Sequence, residues 1–191
     1  MNIIQKIDNN ILQFIQTNMR SSFMDNVMPL ITNLGKGLTI WTLIGVILMI
    51  NKRYRKYGIM IIFSLILCFI IGNLSLKPLV ARTRPFNAMP LLDVLLISPP
   101  TDFSFPSGHA MCSFASGTII FYMNKKLGIF ALVLSSLIGF SRLYLYVHYP
   151  SDVFCGMMIG ILLGITSIII FNNIEKQKVK MLKNKGFLNL L

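Results

Sequence analysis

Long apolar runs separated by short basic clusters set the organisation of this chain. Gly58–Leu76 and Val153–Phe171 each extend for 19 residues without a charge. That is the length needed to cross ~30 Å of hydrocarbon at ~1.5 Å per helical residue. Three further runs read as spans: Val27–Ile50, kinked at Gly35-Lys36-Gly37 and carrying Trp41 as an interface anchor; Ser107–Met123; and Leu127 to about Tyr146. In the last run, Pro150–Phe171, glycines 156, 160 and 164 form a small-residue stripe that favours close helix packing in lipid. Lys77–Phe105 holds prolines at 78, 85, 90, 99 and 100 and reads as a long loop carrying a short helix. A loop of that length in so small a protein points to function. Within Met1–Met19, Ile3, Ile4, Ile7, Ile11, Leu12, Phe14 and Ile15 recur at spacings near three and four. That pattern predicts an amphipathic helix, either lying in the membrane interface or packed on the flank of a bundle. The expected fold is all-α. It is a polytopic membrane helical bundle of about five transmembrane helices, six if the N-terminal segment also crosses, plus the amphipathic helix. The chain divides into residues 1–22, a bundle over 27–171, and a basic cytoplasmic tail over 172–191, all within one domain.

Composition supports this reading. The hydrophobic fraction is 54% and mean hydropathy is +0.70, while charged residues make up 13%, about half the share in a soluble domain. The net charge of +12 lies in short clusters between apolar runs, which argues against nucleic acid as a partner. Cys68, Cys112 and Cys155 fall within apolar helical runs, with neither disulfide nor zinc spacing. No cleavable signal peptide is expected at the N-terminus. The loop at 51–57, the turn at 124–126 and the tail hold 11 of the 18 basic residues. With five spans these segments share one side, which the positive-inside rule makes cytoplasmic. The polar islands between the other spans then face the extracytoplasmic side.

There are three such islands: Lys77–Pro85, Phe105–His109 and Ser141–Asp152. They hold both histidines of the chain. Charges near span ends are costly and mark functional candidates. Lys77, Arg84 and Arg142 lie at such ends on one face, and converging cations call for an anion such as phosphate. Ser107 is placed to cap the helix that follows, Gly108 lets a ligand approach the backbone, and free amides at a helix start bind phosphate. His109 follows at the same point. His148 and Asp152 are four apart across Pro150, which suits the first turn of the last span. A carboxylate so placed fixes the imidazole tautomer and raises its basicity. The set suits a histidine nucleophile attacking phosphorus, with the second histidine as acid. Two histidines and Asp152 also suit a metal, although three nearby cations would repel one.

In these islands the sequence resembles the type 2 phosphatidic acid phosphatase family, the membrane branch of the superfamily that includes bacterial acid phosphatases and vanadium haloperoxidases. The family pattern is K-x6-R-P, then P-S-G-H, then S-R-x5-H-x3-D. Here it reads Lys77 to Arg84-Pro85, Pro106 to His109, and Ser141-Arg142 through His148 to Asp152. The match covers roughly residues 58–171. The resemblance implies that Lys77, Arg84, Ser107, Gly108 and Arg142 bind the phosphate. It implies that His148 is the nucleophile and forms a phosphohistidine, that His109 protonates the leaving group, and that Asp152 orients His148. No metal and no other cofactor is implied. Arg82 and Ser141 are weaker site candidates. Tyr146 departs from the family, where a small residue such as glycine is common, and is expected to narrow the site or shape lipid entry. The implied partner is a membrane lipid carrying a phosphate or diphosphate, at the extracytoplasmic face of the bacterial plasma membrane. Small bacterial members resemble undecaprenyl diphosphate phosphatases. Phosphatidylglycerophosphate or phosphatidic acid is the alternative substrate. A non-catalytic lipid-binding protein is a second alternative, one that loss of His109, His148 or Asp152 would favour; all three are present.

Overall fold

A computed structural model describes residues 3–35, 39–90 and 95–184. Met1 and Asn2, the Lys36-Gly37 part of the expected kink, residues 91–94 of the proline-rich stretch and residues 185–191 of the basic tail lie outside the described residues. The chain forms α1 (Ile3–Asn18), α2 (Ser22–Leu34), α3 (Thr39–Ile50) and α4 (Arg55–Cys68). The last of these runs straight into a π-helical segment, Phe69–Leu76. Two short turns follow, α5 (Lys77–Val80) and α6 (Pro85–Ala88), and then α7 (Gly108–Met123), α8 (Lys125–Tyr144) and α9 (Pro150–Asn184). No strand occurs among the described residues.

The stretches Arg55–Ala88, Lys125–Tyr144 and Pro150–Leu182 are long and apolar enough to cross a membrane, and Ile40–Ile50 is a shorter apolar helix. The expected first span is formed as two helices, α2 and α3, and the expected third is the 16-residue α7. The fourth stops at Tyr144, two residues early, where the chain turns and Tyr146 takes a φ of 59°. The fifth continues past Phe171 to Asn184.

α7 is the axis of the bundle. Ala110 to Gly117, Ile119 and Ile120 are buried on it. The glycine stripe of α9 explains how it fits there. A Cβ built on Gly156, Gly160 or Gly164 would lie 2.6, 2.2 or 2.8 Å from the carbonyl oxygens of Ser107, Met111 and Ala115. Two stripes of period four, one on each helix, bring the backbones into direct contact, as small residues allow in lipid. Trp41 is 1% exposed and donates from Nε1 to Ser113 Oγ at 2.9 Å. It anchors α3 to the bundle core, where the sequence suggested a membrane-interface position; its N–H found a partner inside. The outer surface is apolar: Ile129, Phe130 and Val133 on α8 and Phe154, Leu162 and Ile169 on α9 are exposed, as a hydrocarbon surround requires.

The two ends of the bundle differ. At one, Lys56 donates to Asn172 Oδ1 at 2.8 Å and pairs with Glu175, and Asn172 donates to the Tyr122 hydroxyl at 3.0 Å. The basic loop after α3, the α7–α8 turn and the start of the tail therefore meet there. The polar islands gather at the other end. α1 packs against α8 and α9 at that end. It buries Asp8, Leu12 and Ile15 and leaves Ile3, Ile4, Ile7, Ile11 and Phe14 exposed.

Candidate active site

The islands surround a cavity of about 660 Å³ lined by Lys77, Arg84, Gly108, His109, Arg142 and His148, together with Thr32, Asn33, Asn73 and Asp102. Six of the eight residues expected at the site thus share one cavity. Asp152 lies behind His148 and is fully buried; Ser107 is also fully buried, at the start of α7. Local structure explains the convergence. A π segment shifts the angular position of whatever follows it, and Lys77 follows directly, 7% exposed. Pro150 opens α9 and places Asp152 in its first turn. The Ser107 main-chain N–H donates to the Asp152 carbonyl at 3.1 Å, tying the start of α7 to that turn.

Arg84 is fully engaged. It donates to the Val147 carbonyl at 2.7 Å, to the carbonyl of Asp102 at 2.8 Å and to Asp102 Oδ1 at 2.6 Å. Asp102 Oδ2 pairs with Lys77. One carboxylate therefore bridges two of the cations that line the cavity. Although burial opposes it, the pairing with Lys77 and Arg84 holds the Asp102 carboxyl down at about 2.

Arg84 Nη1 lies 3.2 Å from His148 Nε2. A guanidinium only donates, so Nε2 carries a lone pair and the ring proton sits on Nδ1. Asp152 Oδ2 is 3.6 Å from Nδ1. Ser104 Oγ is 3.5 Å from Nδ1 and donates to Asp152 Oδ2 at 2.5 Å. Burial, reinforced by Arg84 and Arg142 against the opposing pull of Asp152, pushes the His148 imidazole down to about 3. At neutral pH it is an unprotonated base.

Arg142 donates from Nη1 to Thr32 Oγ1 at 2.6 Å. Its Nε and the Ser107 hydroxyl are buried without a hydrogen-bond partner. Ser107 is thus at the cap position of α7, but its side chain makes no cap bond. Buried polar groups without partners are rare and call for an explanation; a bound anion would supply one. Among the described residues no three His, Cys, Asp or Glu side chains come together as metal ligands.

Sequence reasoning did not pick out Asp102, Ser104 or Thr32. Asp102 and Ser104 stand just before the Pro106–His109 motif, which was the available signal; Thr32, on α2, had none. Ser141 turns its hydroxyl back to the Ile138 carbonyl at 2.6 Å. Tyr146 is 5% exposed, is absent from the cavity lining and donates to the Met89 carbonyl at 3.2 Å. Its φ of 59° is a conformation that glycine adopts freely. The departure from a small residue thus concerns the backbone here, rather than the width of the site.

The match to the model of the PAP2 superfamily spans residues 53–176, and the chain belongs to that superfamily. An undecaprenyl-diphosphatase of Sulfolobus acidocaldarius is 32% identical over 145 residues, 75% of this chain and 69% of that protein. The crystal structure of Aquifex aeolicus LpxE superposes with a TM-score of 0.74 at 30% identity, over 88% of this chain and 99% of the other. A PAP2-type phosphatidylglycerolphosphate phosphatase from Bacillus subtilis gives 0.72 at 26% identity, over 93% and 88%. The protein is a membrane lipid phosphatase of the PAP2 superfamily, a phosphoric ester hydrolase.

Proposed function

We propose that this phosphatase hydrolyses undecaprenyl diphosphate to undecaprenyl phosphate at the extracytoplasmic face of the plasma membrane, without a metal. The observation that carries the mechanism is the lone pair of His148 Nε2, directed into a cavity lined by Lys77, Arg84 and Arg142. In the first step Nε2 bonds to the terminal phosphorus and the bridging P–O bond breaks. His109 gives its proton to the departing lipid phosphate. In the second, water deprotonated by His109 attacks the phosphohistidine, the P–N bond breaks and inorganic phosphate leaves. Lys77, Arg84, Arg142, the Ser107 hydroxyl and the Gly108 amide hold the phosphoryl oxygens as charge builds on them. Asp152 holds the Nδ1 proton and supports the charge on the imidazole.

The relative named undecaprenyl-diphosphatase supports the diphosphate substrate. The second reading, a phosphatidylglycerophosphate substrate, is supported by the Bacillus subtilis structure and its 93% cover of this chain. The test is phosphate release by detergent-purified protein, in EDTA, from undecaprenyl diphosphate, phosphatidylglycerophosphate and phosphatidic acid. Preference for the diphosphate by at least about tenfold in kcat/KM is expected. Preference for a glycerophospholipid replaces the first reading with the second, and inhibition by EDTA that Mg²⁺ reverses overturns the metal-free mechanism.

A further inference from the structure

α1 lies outside the stretch that matches the family and contributes nothing to the cavity lining. Its inward face nonetheless ends on the back of the site. Asp8 is 2% exposed. Its Oδ2 accepts from Arg82 Nη2 at 2.7 Å and from Ser151 Oγ at 2.5 Å, and its Oδ1 accepts from the Ser151 main-chain N–H at 2.9 Å. Arg82 donates from Nη1 to Asp152 Oδ1 at 2.6 Å and to Ser151 Oγ at 2.7 Å, and from Nη2 to Gln5 Oε1 at 2.7 Å. The guanidinium lies over the Tyr149 ring, 4.0 Å from its centroid. The other oxygen of Asp152 is the one that faces His148. A continuous chain of charged contacts therefore runs from Asp8 through Arg82 and Asp152 to His148.

This chain has a chemical consequence. A guanidinium held by Asp152 alone would draw charge toward itself and weaken the carboxylate as a partner for the imidazole. The planar fork of Arg82 is shared between two carboxylates instead. Asp8 thereby leaves Asp152 more of its charge for His148, in a buried setting where such charges are poorly screened. Asp8 also takes the N–H of Ser151, one of the free amides of the first turn of α9, and so fixes the turn that carries Asp152. Docking of α1 alone would not need this arrangement. Leu12 against Tyr146 and Tyr149, and Ile15 against Tyr144, already hold the helix with apolar contacts, and a buried ion pair adds little to stability over such contacts.

We infer that Asp8 is a positioning residue for phosphoryl transfer, acting through Arg82 to set the orientation and basicity of Asp152 and so of His148. The inference rests on the reading of His148 as the nucleophile.

The test is steady-state kinetics of the full chain in detergent, on the lipid phosphate it hydrolyses fastest. Asp8→Asn keeps the size of the side chain and removes its charge; it should lower kcat about tenfold with KM changed by less than about twofold. In an Asp152→Asn background the same change should cost less than about twofold, because the group it acts through is gone. Ser151→Ala removes the hydroxyl bonds to Asp8 and to Arg82 Nη1 but keeps the Arg82 fork between the two carboxylates, so kcat should fall less than in Asp8→Asn. Should Asp8→Asn fail to fold, Arg82→Lys decides: an ammonium lacks the fork that holds both carboxylates, so kcat should again fall about tenfold at constant KM. Wild-type kcat in Asp8→Asn or Arg82→Lys, or an equal loss in both backgrounds, overturns the positioning role and leaves the nucleophile reading intact. Retained turnover in His148→Ala overturns both.

Discussion

Arg84 directs one N–H at His148 Nε2 across 3.2 Å and another at the carbonyl of Val147, the preceding residue. The imidazole is thereby held with its lone pair toward the guanidinium of Arg84, at the cavity that Lys77 and Arg142 also line. If His148 is the nucleophile, His148→Ala should lower turnover by at least about 10³-fold. His109→Ala should retain activity on substrates with good leaving groups, which need no proton to depart. Phosphate release from undecaprenyl diphosphate and from para-nitrophenyl phosphate separates the two. Wild-type rates in His148→Ala would exclude the covalent route.

Asp102 sits where a phosphate would meet Lys77 and Arg84. A substrate phosphate must compete with this carboxylate or displace it. Asp102→Asn removes the competing charge, and inorganic phosphate should then inhibit at concentrations lower by about tenfold, the scale of one charge-assisted hydrogen bond. Inhibition constants measured side by side give the answer. Weaker inhibition in the variant would mean that Asp102 holds the two cations in place for the ligand rather than competing with it.

The three motifs were legible because their spacing fixes which residues stand at span ends, and span ends on one side must meet. The glycine stripe was legible because period four is one face of a helix. Trp41 and Tyr146 were not. In a membrane protein both the interior and the lipid face are apolar, so hydrophobicity does not distinguish Trp41 in the core from Trp41 at the rim. The φ of Tyr146 depends on how the chain turns between α8 and α9, which side-chain pattern does not encode. Asp8 falls among the polar positions between the apolar residues of α1, and its partners are 74 and 143 residues away, beyond the reach of any local pattern.

The buried imidazole of His148 gives stability a pH dependence of definite sign. Burial pushes the folded-state value to about 3, whereas an unfolded histidine titrates near ~6.5. Between these limits the unfolded chain binds a proton that the native state excludes, so stability falls as pH drops through that window. Asp102, held at about 2, adds a loss only below its unfolded value of ~3.9. The melting temperature in detergent should therefore decline from pH 7 to pH 5, and less steeply in His148→Asn. Equal slopes for the two proteins would contradict the buried, neutral state of this ring.

The meeting of Lys56, Asn172 and Glu175 at the end away from the cavity bears on topology. Basic clusters stay in the cytoplasm, so a reporter fused after Leu191 should be active there and silent outside. An outward-facing reporter would put the cavity on the cytoplasmic side and remove the basis for an extracytoplasmic substrate.

Two glycines separate folding from binding. A Cβ on Gly160 would lie 2.2 Å from the Met111 carbonyl oxygen, backbone against backbone, with no side chain able to yield. Gly160→Ala should push α9 off α7 and destabilise the bundle by about 1–3 kcal/mol, the range for overpacked cores. A Cβ on Gly108 meets only Asn73 Oδ1, at 3.7 Å, an ordinary contact. Gly108 also lines the cavity at the start of α7, where backbone amides are free to hold an anion. Gly108→Ala should therefore melt near the wild-type temperature and raise KM by about tenfold or more, because the added methyl displaces phosphate from those amides. Thermal melts and kinetics on the two variants give opposite patterns if this assignment is right. A Gly108→Ala protein with wild-type KM would remove the α7 amides from the phosphate site.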